Sequence, residues 1–197
     1  MHVFTGRTNS THFRIWIAIA IALFALGIVW GLATPSVVGN GDLSQEQTAF
    51  GQLAELIVGL PAWAMFLVIL FKNITAVLFG FVLSPFFLIM PVVSLVLNGW
   101  LIGSISPSIV SEYSAGYLLA GLLPHGIIEL PALFIGEAAA LGFGSIAMQS
   151  VLRRDKREQL GNSFKTYLKY LGVAAVLFVP AALIETFVTP TILKGLL

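Results

Sequence analysis

The sequence predicts an all-α integral membrane protein with about five transmembrane helices, a broken fourth segment and an external amphipathic helix after the first span. Three observations carry that prediction. Hydrophobic residues make up 58% of the 197-residue chain and charged residues only 10%, where a soluble domain carries about 25% charged residues. Mean hydropathy is +0.97. The apolar runs are long enough to cross about 30 Å of hydrocarbon at about 1.5 Å per residue, and they lack the apolar–polar alternation of a membrane β-barrel. The expected unit is one polytopic membrane domain over residues 1–197.

Each element follows from local signals. Span 1 covers residues 15–33, an apolar run longer than a secretory signal core and without a small-x-small cleavage site, so it reads as a retained span. It ends at Thr34-Pro35 and the turn-rich "SVVGNGD". In "SQEQTAFGQLAELIVGL" (44–60), Phe50, Leu53, Ile57 and Leu60 keep helical phase among Gln45, Glu46, Gln52 and Glu55, which suits an external amphipathic helix. Residues 61–106 hold two spans, with the break at either Lys72-Asn73 or Ser84-Pro85. Pro85 removes a backbone donor and pushes its predecessor out of the helical region, so the turn is placed there, giving spans at 61–83 and 86–105. Residues 113–149 would measure about 55 Å as one helix, nearly twice the hydrocarbon thickness, and Pro124, Gly126 and Pro131 lie in its first half. The expected solution is a fourth span over 116–149, broken near 124–131. Span 5 is expected at 171–189, with Pro180 inside and Pro190 ending it.

Charge placement orients the chain. "RRDKRE" (153–158), with Lys165 and Lys169, is the dense basic stretch, and short basic loops stay cytoplasmic. Five spans then put the N-terminus, with Arg7 and Arg14, in the cytoplasm, and the segment with Asp42, Glu46 and Glu55 outside. The expected location is the cell membrane, as a multi-pass protein. The net charge of +1 points to no partner class, and nothing supports nucleic-acid binding. The basic run also meets anionic lipid headgroups, so membrane lipid is an expected partner. The absence of cysteine excludes disulfides, iron–sulfur clusters and a thiol nucleophile.

Polar groups within the apolar runs are the candidates for function. On a helix His125 and Glu129 lie about 40° apart, and Glu129 and Glu137 about 80° apart. Glu185 stands in the last span, and Lys72 and Asn73 in the second. Ionisable groups at membrane depth cost about 2.5–3.5 kcal/mol each on insertion scales and face the bundle interior or a water-filled cavity. For the three glutamates the choice lies between hydrogen-bonded ties between helices and a role in ion passage, substrate binding or regulation. His125 with Glu129 is an i,i+4 pair, but the second histidine of an "HEXXH" arrangement is absent, as are a G-x-S-x-G nucleophile elbow and a P-loop. No metal, cofactor or catalytic residue is expected. Asn98-Gly99 and Gly103 in the third span, with Gly136, Gly142 and Gly144 in the fourth, read as close helix packing.

"LPHGIIELPALFIGEAAALGFG" (123–144) closely resembles the signature of the stage II sporulation protein M family. "LFKNITAVLFGF" (70–81), "NGWLIG" (98–103) and "AALIETFVTP" (181–190) match further elements of that family in the same order. Lys72 and Glu137 depart from its usual pattern. The resemblance implies a small polytopic protein that acts as a non-enzymatic scaffold or accessory subunit, docking other membrane or cell-envelope proteins. In spore formers that role is peptidoglycan remodelling during engulfment. A homo-oligomer is compatible with it. The alternatives are a transporter or channel component with a polar cavity near Glu129, and an intramembrane hydrolase using His125 and Glu129.

Overall fold

The structure is a computed structural model that describes residues 5–34 and 59–196. It contains α1 (Thr5–Ala33), α2 (Ala62–Leu83), α3 (Ile89–Glu112), α4 (Ala115–Leu152) and α5 (Arg154–Leu183), then a π-helical turn (Ile184–Val188) and α6 (Thr189–Lys194). No strand occurs among the described residues. Among the described residues, five helical stretches are long and apolar enough to cross a membrane, the last running from Arg157 through the π turn to Lys194. The chain is a multi-pass membrane protein. Its outer surface suits lipid contact, with Phe71, Phe79, Phe86, Trp63 and Ile127 among the large exposed hydrophobics. The expected amphipathic helix at 44–60 lies outside the described residues, save Gly59 and Leu60 in a turn.

Two helix pairs organise the bundle. In the first, α1 crosses α3 with backbones in contact. A methyl group on Gly27 would run into the Val96 carbonyl, and one on Gly31 into the Trp100 carbonyl. In return Gly99 faces the Phe24 carbonyl and Gly103 the Ile28 carbonyl. These are two G-x-x-x-G motifs facing each other, the arrangement that lets membrane helices approach closely. Trp100 Nε1 donates to Thr34 Oγ1 at 3.2 Å, pinning the end of α1. In the second pair, α4 and α5 form a long hairpin. Between the pairs, α2 runs parallel to α4 and packs on both α4 and α5.

Helix α4 is the axis of the molecule. Every residue from Gly136 to Gly144 is buried, because small side chains let neighbours close in on all sides. Val77 of α2 and Ala174 of α5 sit against Gly136, the Tyr167 ring against Gly142, and the α2–α3 turn against Gly144. Phe81, Phe143 and Phe164 stack around the end of that segment, and Phe24 meets Phe134 edge-on at 5.3 Å.

Three expectations need correction. The fourth span is not broken: α4 is one helix of 38 residues with Pro124 and Pro131 inside it. Each proline removes one ladder hydrogen bond, whereas an irregular turn would strand several backbone groups in hydrocarbon, so the helix persists. Gly126 accordingly occupies ordinary helix, buried, with nothing beyond Leu122 Cγ at 4.0 Å near its would-be Cβ. Pro190 does not end the last span. It falls in the first turn of α6, which carries the helix on from the π turn to Lys194. The helices of the third and fifth spans also run past the expected ends, α3 from Ile89 on to Glu112 and α5 from Arg154, with the apolar stretch of the fifth starting at Arg157. Helix α2 ends at Leu83, and Ser84 Oγ donates back to the Phe81 carbonyl at 2.8 Å in the turn that holds Pro85.

Candidate functional site

The buried stripe of α2 is Asn73, Val77, Gly80 and Phe81, spaced by four, three and one residues on a single helix face. This stripe lies along α4. Because the helices are parallel, Asn73 meets Glu129, Val77 meets Gly136 and Gly80 meets Glu137. The only polar side chain of the stripe therefore reaches α4 near the middle of the span. Glu129 is about 21 Å from Ala115 and about 22 Å from Gly144 along the helix axis.

Asn73, buried, donates from Nδ2 to Glu129 Oε1 at 3.1 Å. The second oxygen, Glu129 Oε2, faces His125 Nε2 at 3.8 Å, one turn back along α4. On the far side of the imidazole, Nδ1 lies 3.4 Å from Oγ1 of the buried Thr189. Thr189 follows the π turn, its amide bonding to the Ile184 carbonyl five residues earlier. Glu185, inside that turn, brings a carboxylate to the same place. One ligating atom from each of His125, Glu129 and Glu185 lies within 4.8 Å of the other two. The His125 and Glu129 side chains are 13% and 21% exposed, so the group is sheltered without being sealed. Lys72, exposed on α2, is close enough to act electrostatically on Glu185.

Glu137 occupies a different environment. It is completely buried, and its Oε2 lies 2.7 Å from where a Cβ on Gly80 would be, so the carboxyl group packs on the bare backbone of α2. Ser94 of α3 is its polar neighbour, yet neither Glu137 oxygen nor Ser94 Oγ makes a hydrogen bond among the described residues.

Of the residues singled out from sequence, the fold brings His125, Glu129, Glu185 and Asn73 together. It leaves three elsewhere: Glu137 is two turns further along α4, Asn98 is half-buried and donates to the Ser94 carbonyl of its own helix at 2.8 Å, and Gly99 serves the α1 contact. With α4 unbroken, the partner of Glu129 is Asn73 of the neighbouring helix. Sequence reading missed Thr189, whose signal was its place four residues after Glu185 in "ETFVT". It also missed Gly27 and Gly31, visible as "GIVWG". The grouping of Glu185 with His125 and Glu129 is not local either, because Glu185 stands 56 residues from Glu129 in sequence.

A family model described as "Stage II sporulation protein M" matches residues 20–190. An uncharacterized protein of Methanocaldococcus jannaschii is 27% identical over 190 residues, covering 93% of this chain and 99% of the relative. No solved structure matches the chain.

Proposed function

Given that this chain belongs to the stage II sporulation protein M family, we propose that it is a non-enzymatic membrane scaffold that docks a partner protein through the α4–α5 hairpin. The observation that carries this reading is the reach of that hairpin. Gly144 rests against Ser84 and Leu88 in the α2–α3 turn, and α4 continues to Leu152, about 12 Å beyond the turn. The projecting end is closed by Arg157, whose guanidinium donates to the Ser150 and Val151 carbonyls. It presents Val151 and Leu152, 72% and 89% exposed, beside Arg153 and Arg154. By the distribution of basic residues this end is cytoplasmic, in a protein of the cell membrane. Apolar side chains held out past the α2–α3 turn on an ordered, basic tip form a small surface suited to a protein with an acidic rim.

Site-specific photocrosslinking tests the reading. A crosslinker replacing Leu152 should give a discrete protein adduct in cells, and one replacing lipid-facing Phe79 should give none of that mass. The adduct should disappear when Val151→Glu is added. Adducts only with lipid at position 152 would defeat the proposal, and self-adducts would redirect it to a homo-oligomer. A second reading, a transport component, draws on the convergence of His125, Glu129 and Glu185 at mid-depth, since polar sites there are the usual mark of substrate or ion pathways.

A further inference from the structure

The geometry points to a binding site for one first-row divalent transition-metal ion at His125, Glu129 and Glu185. This goes beyond the docking reading, which rests on the hairpin tip and stands or falls separately.

The argument begins with which atoms are left over. Glu129 has two oxygens: Oε1 is taken by Asn73 Nδ2, and Oε2 faces the imidazole. His125 has two nitrogens: Nδ1 lies against Thr189 Oγ1, and Nε2 faces Glu129 Oε2. In the tautomer that donates from Nδ1 to the threonine hydroxyl, Nε2 carries the lone pair. Both residues thus have their outward atoms engaged by a neighbouring helix and their remaining donor atoms turned toward one point. This is how ligating histidines and carboxylates are oriented by the residues behind them. No hydrogen bond from a described residue holds the Glu185 carboxylate, so it can complete the set.

The spacing fits an ion of this size. Donor atoms at about 2.1 Å from a tetrahedral centre are about 3.4 Å apart. His125 Nε2 and Glu129 Oε2 are 3.8 Å apart, and one ligating atom from each of the three residues lies within 4.8 Å of the other two. Closing on an ion needs only small side-chain adjustments. Charge fits as well: two carboxylates this close repel in a medium of low dielectric, and a dication neutralises both. Three protein donors leave a coordination position for water, and the partial exposure of His125 and Glu129 offers the route by which the ion enters.

The donor set also selects the class. Imidazole nitrogen suits Zn²⁺, Fe²⁺, Co²⁺ and Ni²⁺, whereas Mg²⁺ and Ca²⁺ take oxygen ligands alone. The delivery of Glu185 by a π-helical turn agrees, because such turns are rare and concentrate at functional sites. The extra residue per turn carries both Glu185 and Thr189 onto the side of α4 where His125 stands.

The test uses the full chain, purified in mild detergent without a histidine tag, stripped with chelator and dialysed against Zn²⁺ alone. Because His2 and His12 lie near the N-terminus, their double alanine variant serves as the parent. The expected result is one tightly bound Zn²⁺ per chain that excess Mg²⁺ does not displace, and a rise in the thermal unfolding midpoint with Zn²⁺ that Mg²⁺ does not give. Glu185→Gln and Glu129→Gln, which preserve shape, should abolish the binding, and Asn73→Ala should weaken it by about 10–100-fold. Co²⁺ loading should give a visible absorption band that Glu185→Gln lacks. Should the parent bind no more Zn²⁺ than the Glu129→Gln/Glu185→Gln double variant, or show no Zn²⁺-dependent rise in its midpoint, the inference fails. Equal competition by Mg²⁺ would overturn the assigned class.

Discussion

Asn73, halfway along α2, donates its side-chain amide to Glu129 Oε1, about midway between Ala115 and Gly144 of α4, at 3.1 Å. The bond joins two parallel helices inside the bundle, and both groups need it. Without Asn73 the carboxyl oxygen loses its interhelical donor; without Glu129 a buried amide is stranded. Interhelical side-chain bonds of this kind average about 0.6 kcal/mol and reach about 1.7. Asn73→Ala should therefore cost about 1 kcal/mol. Asn73→Asp should cost more, because it sets a third carboxylate against Glu129 and Glu185. Thermal unfolding in detergent orders the three proteins, and a double-mutant cycle with Glu129→Ala should show positive coupling. If aspartate is tolerated as well as alanine, Asn73 does not face Glu129.

Glycines separate into those that hold a helix crossing and those that merely lie in a helix. At Gly99 an added methyl meets the Phe24 carbonyl of α1, backbone that cannot yield without parting the helices. Gly99→Ala should destabilise by about 1–3 kcal/mol, the usual cost of overpacking. At Gly126 the nearest atom stands 4.0 Å from the would-be Cβ, so alanine fits and recovers about 0.5–1 kcal/mol of helix propensity. Unfolding midpoints moving in opposite directions would bear this out. A loss at Gly126 instead would indicate that the fourth span needs the flexibility its sequence suggests.

That contrast shows what the sequence makes legible and what it hides. Apolar run length and composition suffice for five helices, because hydrocarbon leaves a backbone few choices. The same constraint is why the prolines mislead. Pro124 and Pro131 would end a helix in water, where a turn can be solvated; in a bundle the continuous helix leaves fewer groups unsatisfied. At the site, His125 and Glu129 are legible as an i,i+4 pair because helical spacing is local. Glu185 and Asn73 join them only through the packing of α2, α4 and the π turn, and no periodicity announces a π turn. The α1–α3 crossing is half legible: Gly99 and Gly103 stand out as packing glycines in the third span, whereas their counterparts Gly27 and Gly31 lie inside an apolar run whose length is its strongest signal.

The orientation has a direct check, made simple by the lack of native cysteine. Leu152, 89% exposed at the hairpin tip, and Ser114, just before α4, lie at opposite ends of one helix. With basic residues held in the cytoplasm, Ser114→Cys should react with an impermeant maleimide added to intact cells. Leu152→Cys should react only after permeabilisation. The reverse pattern would invert the topology and move the proposed docking tip outside.

The final prediction concerns Glu129 itself, where the packing and ion-binding roles separate. Glutamine at this position keeps an oxygen that can accept from Asn73 Nδ2, so Glu129→Gln should unfold within about 1 kcal/mol of the parent. Leucine offers no acceptor and leaves the Asn73 amide unsatisfied, which costs about 1–3 kcal/mol; Glu129→Leu should be destabilised by that amount. Metal retention should divide the variants differently, since both remove the carboxylate and both should fail to hold Zn²⁺. Glutamine is then the informative protein, native in stability and empty of metal. If leucine is as stable as wild type, the Asn73–Glu129 bond contributes nothing to the fold. If glutamine retains the metal, the ion is held elsewhere.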